Sequence, residues 1–381
     1  MTAWHLECSS CRREAVGNGL ASVCPECGQP FLVRIDSTIP SREAILPRWD
    51  MWRYAPVMPL APDEIPVSLG EGLTPLHELP SLARELCVRR LWVKDEGLNP
   101  TGSFKARGMS AAVTRARALG VAGLVVPTAG NAGAALAAYG AAAKLPVRVY
   151  APTQTPRAIL ETICALGAEL QLVDGHIGDA GREARAFAAA SHYFDVSTLR
   201  EPYRIEGKKT MGIEAAEQLG WRLPTHIVYP TGGGTGLIGM WKVFSEMRAW
   251  GWIDSQSPPP RMIVAQAAGC APIVRAFSSG ATSATPWEKP FTHASGLRVP
   301  GPLGDRLILR ALRESGGDAV AVSEEAIVRA TGRLSRISGI DAAPEGGCAL
   351  AATEQLITAG RIPANAEILV FNTGSGASYR P

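Results

Sequence analysis

The sequence predicts an α/β protein whose mostly parallel sheets are covered by helices on both faces, led by a small cysteine-rich module. Two patterns carry this. Short apolar runs alternate with Ala- and Leu-rich helical stretches from about residue 90 onward, and two Cys-x2-Cys pairs stand near the start. The 381 residues suit two or three domains at ~150 residues each. With 46% hydrophobic and 19% charged residues the composition is that of a globular chain. Lys and Arg number 38 against 35 Asp and Glu, a formal charge of +3. So small an excess makes no surface for nucleic acid or membrane, and a small-molecule substrate is expected.

The longest apolar stretches are broken by Gly, Arg or Pro, short of the ~18 residues that a membrane span needs. The opening Met1-Thr2-Ala3-Trp4-His5-Leu6-Glu7-Cys8 has neither the basic nor the apolar region of a secretory signal. A cytoplasmic protein with reduced thiols is expected. Cys87, Cys164, Cys270 and Cys348 are scattered singly and form no disulfide framework.

The first element is the cysteine module. Cys8 and Cys11, then Cys24 and Cys27, form two pairs separated by twelve residues, with Gly28 after the second. This spacing predicts a zinc ribbon over residues 1–35, four thiolates closing a tetrahedral shell that leaves the metal a structural role. Arg12, Arg13 and Arg34 are offset by Glu7, Glu14, Glu26 and Asp36, so the module lacks a cationic footprint for phosphates and reads as an appendage to an enzyme. Residues 36–69 follow as a packed connecting arm, interrupted by Pro40, Pro47, Pro56, Pro59, Pro62 and Pro66.

Strands are expected at 91–93, 124–126, 147–150, 170–173, 227–229, 263–265 and 368–371. In such folds ligands gather at the carboxyl ends of strands. Three of these runs lead into Gly-rich turns: Thr128-Ala129-Gly130-Asn131-Ala132-Gly133, Thr231-Gly232-Gly233-Gly234-Thr235-Gly236 and Thr373-Gly374-Ser375-Gly376. The second is the best phosphate cup, because successive backbone N–H groups can converge on an anion at a helix start. It also contains Gly234-x-Gly236-x-x-Gly239, formally a dinucleotide fingerprint. A nicotinamide site needs an acid at the end of the next strand. Here the helix is expected to run through Trp250 and Trp252, with Asp254 in a linker, so that reading is set aside.

The decisive lysine lies in Asn99-Pro100-Thr101-Gly102-Ser103-Phe104-Lys105-Ala106-Arg107-Gly108, at the opening of a predicted helix beside a phenylalanine. A cationic, apolar helix start lowers the pKa of an amine and suits Schiff-base chemistry. The segment resembles the pyridoxal-phosphate lysine motif of fold type II enzymes, particularly threonine synthases. Gly70-Glu71-Gly72-Leu73-Thr74-Pro75-Leu76, Glu201-Pro202-Tyr203-Arg204-Ile205-Glu206-Gly207-Lys208-Lys209-Thr210 and Ala343-Pro344-Glu345-Gly346-Gly347 also look like family segments, in matching order.

The resemblance implies a tryptophan synthase β-like fold of two α/β domains behind the ribbon: a large domain from 36–110 and 205–381, and a small one at 111–204. It makes Lys105 the covalent and acid–base residue. Phe104, Asn131, Gly232, Gly233, Gly234, Thr235, Gly236 and Thr373 are implied to bind the cofactor, Asn131 at the 3′-oxygen, the glycines and Thr235 at the phosphate, and Thr373 at the ring nitrogen. Thr101, Ser103, Thr128, Ala129, Gly130 and Arg204 are implied to bind an amino acid substrate. Lys208 is a second cation which, like Arg204, either binds an anion or is a surface or interdomain charge. A homodimer is also implied. No regulatory domain is expected beyond Pro381.

Where threonine synthases tend to offer polar groups, this chain has Ala106, Ala132 and Leu199. That exchange suggests an apolar pocket. The expected reaction is therefore loss of hydroxide from a β-hydroxy-α-amino acid such as phenylserine or threonine, giving a 2-oxo acid and ammonium. Threonine synthase acting on O-phosphohomoserine is the alternative.

Overall fold

A computed structural model of the chain describes residues 3–17, 19–36 and 39–380. Met1, Thr2 and Pro381, on which the leader and terminus readings fall, lie outside that range. Along the chain run β1 (Trp4–Cys8), β2 (Glu14–Val16), β3 (Phe31–Ile35), β4 (Leu76–Glu78), α1 (Pro80–Glu85), β5 (Arg90–Asp95), α2 (Lys105–Ala118), β6 (Leu124–Pro127) and α3 (Asn131–Ala143). Next come β7 (Val147–Pro152), α4 (Arg157–Ala165), β8 (Glu169–Val173), α5 (Ile177–Ser191), β9 (Phe194–Asp195), α6 (Tyr203–Gln218), β10 (His226–Pro230) and α7 (Thr235–Ala249). The last are β11 (Arg261–Ala267), α8 (Pro272–Ser278), α9 (Asp305–Glu314), β12 (Asp318–Val322), α10 (Glu324–Ser338), α11 (Pro344–Thr358) and β13 (Glu367–Asn372).

Every apolar run read as a strand lies within one, in β5, β6, β7, β8, β10, β11 and β13. Helix ends follow local chemistry. Pro opens α1, α8 and α11, where its missing N–H costs nothing. His176 and Asp179 form a reciprocal capping box on α5. Ser323 caps α10, which stops at Gly339 with φ 72°.

Packing divides the chain into two compact units. The first comprises residues up to Leu73 together with Asn99–Thr210. It contains the antiparallel sheet β2-β1-β3 and the parallel sheet β8-β7-β6-β9. Its core joins Met109, Val113, Leu136, Val149 and Ile163 of the parallel layer with Leu6, Phe31 and Val33 of the N-terminal strands. The connecting arm is not wholly irregular, since Met51–Val57 forms a 3-10 helix with Pro56 inside it. That tighter helix tolerates a proline which would break the bonding of an α-helix.

The second unit comprises Thr74–Leu98 and Met211–Arg380. Its six-stranded sheet has the order β12-β11-β10-β13-β5-β4, parallel except for the short antiparallel edge strand β4. The sheets are therefore mixed rather than uniformly parallel. Leu91, Val93, Val228, Ile263, Ile368 and Val370 meet Leu350 and Leu356 of α11 in its core. β10 and β13 are buried at every position, which is why their sequences read as continuous apolar runs. The helix after the Gly-rich loop ends at Ala249, and Gly251 at φ 71° turns the chain away before Trp252, correcting the longer helix expected there.

Candidate active site

In the first unit, Lys105 is the opening residue of α2. Thr101 and Gly102 take left-handed backbone conformations just before it (φ 59° and 67°), and Asn99 Oδ1 pins this turn by accepting the Gly72 N–H at 3.0 Å. The Thr101 hydroxyl donates to the Pro100 carbonyl at 2.6 Å. Ser103 is buried, and its Oγ has no hydrogen-bond partner among the described residues. A buried hydroxyl left in that state costs free energy unless a ligand or water meets it. Lys105 Nζ lies 3.9 Å from the centroid of the Phe104 ring, and Lys208 Nζ lies 4.1 Å from the same centroid. Lys208 also donates to the Phe104 carbonyl, so the phenylalanine next to Lys105 is held from two sides.

Two helices that start at candidate residues are tied together by a network the sequence reading missed. Glu71 accepts from Trp52 Nε1 at 3.1 Å, the Leu69 N–H at 2.9 Å and the Tyr139 hydroxyl at 2.6 Å. Trp52 Nε1 also donates to Ser110 on α2 at 2.8 Å, and Tyr139 belongs to α3. Burial and the Glu71 charge push the Tyr139 phenol far above its usual range, so it stays a donor. The only signal was the Gly-Glu-Gly segment itself.

Asn131 opens α3 after the turn Thr128–Gly130. Thr128 Oγ1 organises that turn, accepting the N–H groups of Gly130 at 3.1 Å and Gly133 at 3.2 Å and donating to the Gly130 carbonyl at 2.6 Å. Ala129, Gly130 and Asn131 are half-buried.

Arg204 and Lys208 are both buried, which removes the surface-charge reading. Arg204 donates from Nη1 to the Val196 carbonyl at 2.7 Å, while its Nε has no partner among the described residues. Glu201 accepts the N–H groups of Tyr203 at 2.7 Å and Arg204 at 3.0 Å. Burial, opposed by the Arg204 charge, raises the Glu201 carboxyl from 4.5 to about 7. The folded form binds this proton more tightly than the unfolded chain, so the resulting stabilisation is complete below about pH 4.5 and is lost as pH rises through about 7. Glu201→Gln keeps an acceptor for both N–H groups and removes the titration. It should flatten the fall in melting temperature between pH 5 and 7.5, an effect on the order of 3 kcal/mol at full strength. Thermal melts across that range check it.

In the second unit, β10 feeds the turn Thr231–Gly234, and α7 begins at Thr235. The glycines are required by space. A Cβ on Gly232 would overlap the Gly296 carbonyl, and one on Gly236 would overlap the Tyr229 hydroxyl. Gly234 has φ 78° and lies against Ile308. The N–H groups of residues 232–236 make no hydrogen bond among the described residues, which leaves five donors on one turn and helix start. Thr373 is buried directly after β13, in a turn held by Asn372, whose Oδ1 accepts the Ala343 N–H at 3.1 Å and whose Nδ2 donates to Asp95 at 2.8 Å.

The first unit thus brings together Thr101, Ser103, Phe104 and Lys105 and orders the Thr128–Asn131 turn, while the second holds the glycine cup and Thr373. In the first unit, an amine at a helix start beside an orphaned buried hydroxyl suits an aldehyde, and in the second an N–H cup at a helix start suits a phosphate. Residues 67–374 match the family of pyridoxal-phosphate dependent enzymes, and the chain belongs to it. It is a fold type II enzyme with threonine synthase-like relatives. The threonine synthase of Methanosarcina acetivorans is 35% identical over 376 residues, covering 97% of this chain and 91% of that protein. The threonine synthase of Methanocaldococcus jannaschii is 36% identical over 327 residues, 86% of this chain and 80% of that protein. Among solved structures, a threonine deaminase from T.th. aligns with a TM-score of 0.67 and 25% identity, covering 81% of this chain and 94% of that one.

The N-terminal cysteines form a cluster whose four sulfurs lie within 4.8 Å of one another. Cys8 and Cys27 are 3.4 Å apart, and Cys11 is 3.6 Å from both Cys24 and Cys27. Four thiolates at ~2.3 Å from a zinc ion would have edges of about 3.8 Å. Each pair ends on a left-handed residue, Arg12 at φ 64° and Gly28 at φ 68°, which turns the chain back around the sulfurs. No helix among the described residues is long and apolar enough to cross a membrane.

Proposed function

We propose that the enzyme is a threonine synthase, which releases phosphate from O-phosphohomoserine and adds water at the β carbon. The observation that carries this reading is the match to the Methanosarcina acetivorans threonine synthase over 97% of this chain and 91% of that protein. It favours this reaction over the dehydratase expected from Ala106, Ala132 and Leu199. Ala106 and Ala132 pack in the hydrophobic core of the first unit, so their apolar character answers to core volume before substrate.

The bound cofactor supplies an electron sink that acidifies the bonds at the substrate's α carbon. Lys105 Nζ would bind the cofactor's aldehyde carbon, the aldehyde oxygen leaving as water, and once the substrate's amine replaces it would carry protons off the α and β carbons and onto the γ and α carbons as phosphate leaves and water adds. Phe104 flanks this amine, Asn131 orients the 3′-oxygen, and the N–H groups of Gly232, Gly233, Gly234, Thr235 and Gly236 hold the phosphate. Thr373 offers a neutral hydroxyl to the ring nitrogen. Thr101, Ser103, Thr128, Ala129 and Gly130 receive the amino acid, and Arg204 contributes its charge. The role-based division keeps residues 111–204 as the small domain between large-domain segments 36–110 and 205–381, and the active enzyme is a cytoplasmic homodimer.

The test is a parallel assay of inorganic phosphate and threonine from O-phosphohomoserine against 2-oxo acid from threonine, serine and phenylserine. Phosphate release with threonine as product is expected. Rapid 2-oxo acid formation without phosphate release would restore the dehydratase.

Residues 1–35 are a zinc ribbon in this proposal, with one structural zinc on Cys8, Cys11, Cys24 and Cys27. Cys24→Ser with Cys27→Ser should lower bound zinc from one per chain to none, by metal analysis, and loosen the ribbon while leaving the cofactor's absorbance in place.

A further inference from the structure

In the second unit, three segments far apart in the chain converge on one carboxylate. Glu345, the second residue of α11, is 6% exposed. Its Oε1 accepts the Gly296 N–H at 2.9 Å and the hydroxyl of Tyr379, which also lies 3.1 Å from Ser295 Oγ. Burial, then the Glu345 charge, raises the Tyr379 phenol well above its usual range, so it remains an O–H donor.

Gly296 in turn packs against Gly232, the first residue of the glycine cup. Its carbonyl occupies the place a Cβ on Gly232 would need, and a Cβ on Gly296 itself would come within 2.7 Å of Glu345 Oε1. The stretch just before Glu345 grips the turn that carries Thr373. Ala343 donates to Asn372, Ala342 forms a β-bridge with Ser375, and Ser375 Oγ donates to Asp341 Oδ2 at 2.8 Å. Glu345 therefore connects, through one side chain, the turn that abuts Gly232 and the C-terminal segment that follows Thr373.

We propose that Glu345 and Tyr379 are positioning residues for the cofactor's phosphate: acting through Gly296, they fix Gly232 and the N–H cup relative to the Thr373 turn. The inference rests on reading residues 232–236 as the phosphate cup. A site of converging donors works only while its supports hold it to about 0.5 Å. Removing the carboxylate takes the acceptor from a backbone N–H and a phenol together. Neither residue touches a reacting atom in this assignment.

The test uses cofactor-free full-length protein, titrated with pyridoxal 5′-phosphate and, separately, with pyridoxal, which lacks the phosphate. Binding is read by quenching of tryptophan fluorescence. Glu345→Ala should weaken the phosphorylated ligand about tenfold while pyridoxal changes less than about twofold. Glu345→Gln, whose amide oxygen still accepts the Gly296 N–H, should recover most of that loss, and Tyr379→Phe should fall between. Tyr379→Phe removes a single oxygen and decides the matter if Glu345→Ala does not fold. Equal weakening of both ligands, or a phosphate preference unchanged in both variants, would overturn the proposal alone. Equal affinity of the unaltered protein for the two ligands would remove the phosphate cup itself, and the proposal with it.

Discussion

Lys105→Ala is expected to lower turnover on the enzyme's substrate by about 10³-fold or more, since it removes both the covalent anchor and the proton carrier. The fold should persist. Lys105 is half-buried at the first position of α2, where helical hydrogen bonding does not depend on the side chain. Alanine is a better helix former than lysine, so a circular dichroism spectrum and melting temperature close to those of the unaltered protein are expected. The visible band of the lysine-bound cofactor should vanish while phosphate-dependent binding through the second unit remains. Steady-state kinetics, thermal melts, an absorbance scan and a cofactor titration check these outcomes. Residual turnover within tenfold of the unaltered enzyme would place the chemistry on another amine.

Gly232→Ala carries the second largest effect. The added methyl would overlap the Gly296 carbonyl and stand 3.0 Å from Val299 Cγ2. Backbone cannot rotate out of the way as a side chain can, so the turn itself must shift. A stability loss of about 1–3 kcal/mol is expected, and cofactor affinity should fall at least about tenfold because the first donor of the cup moves with the turn. Gly301→Ala is the control: nothing lies within 4 Å of a Cβ there, and both stability and affinity should be unchanged. Chemical denaturation and a cofactor titration on the two variants measure the contrast.

The parts of the fold legible in the sequence are those whose physics is local. β10 and β13 are buried on both faces and read as unbroken apolar runs, and the Gly-rich turns after them are contiguous motifs. β12, an edge strand of its sheet, is short and mixes buried, half-buried and exposed positions without a clean period, and its small alanines also suit a helix. β9 has two residues and β4 three, too short for any period to show. The overlong reading of α7 followed its tryptophans and passed over Gly251, the residue that stops it.

The candidate site divides in the same way. Lys105, Asn131, residues 232–236 and Thr373 sit in short motifs, each at a strand end or helix start, and were readable. Glu71, Tyr139, Glu345 and Tyr379 act across separations of 34 to 84 residues, through single hydrogen bonds that leave no periodic trace. Ala106 and Ala132 carry a constraint that their place in the sequence did not show. Neighbours of functional residues in sequence, they face the core, because successive residues of a helix point about 100° apart.

Lys105 and Lys208 place their amines at similar distances from one phenylalanine ring, 3.9 and 4.1 Å. The assignment of the reactive amine is therefore tested most directly by finding which lysine carries the cofactor. Reduction of the cofactor-loaded enzyme with borohydride would fix the cofactor to its lysine, and proteolysis with mass spectrometry would then locate the pyridoxyl group. A single modified peptide is expected, labelled at Lys105 and absent from Lys105→Ala. A pyridoxyl group on Lys208 or any other lysine of the unaltered protein would contradict that assignment.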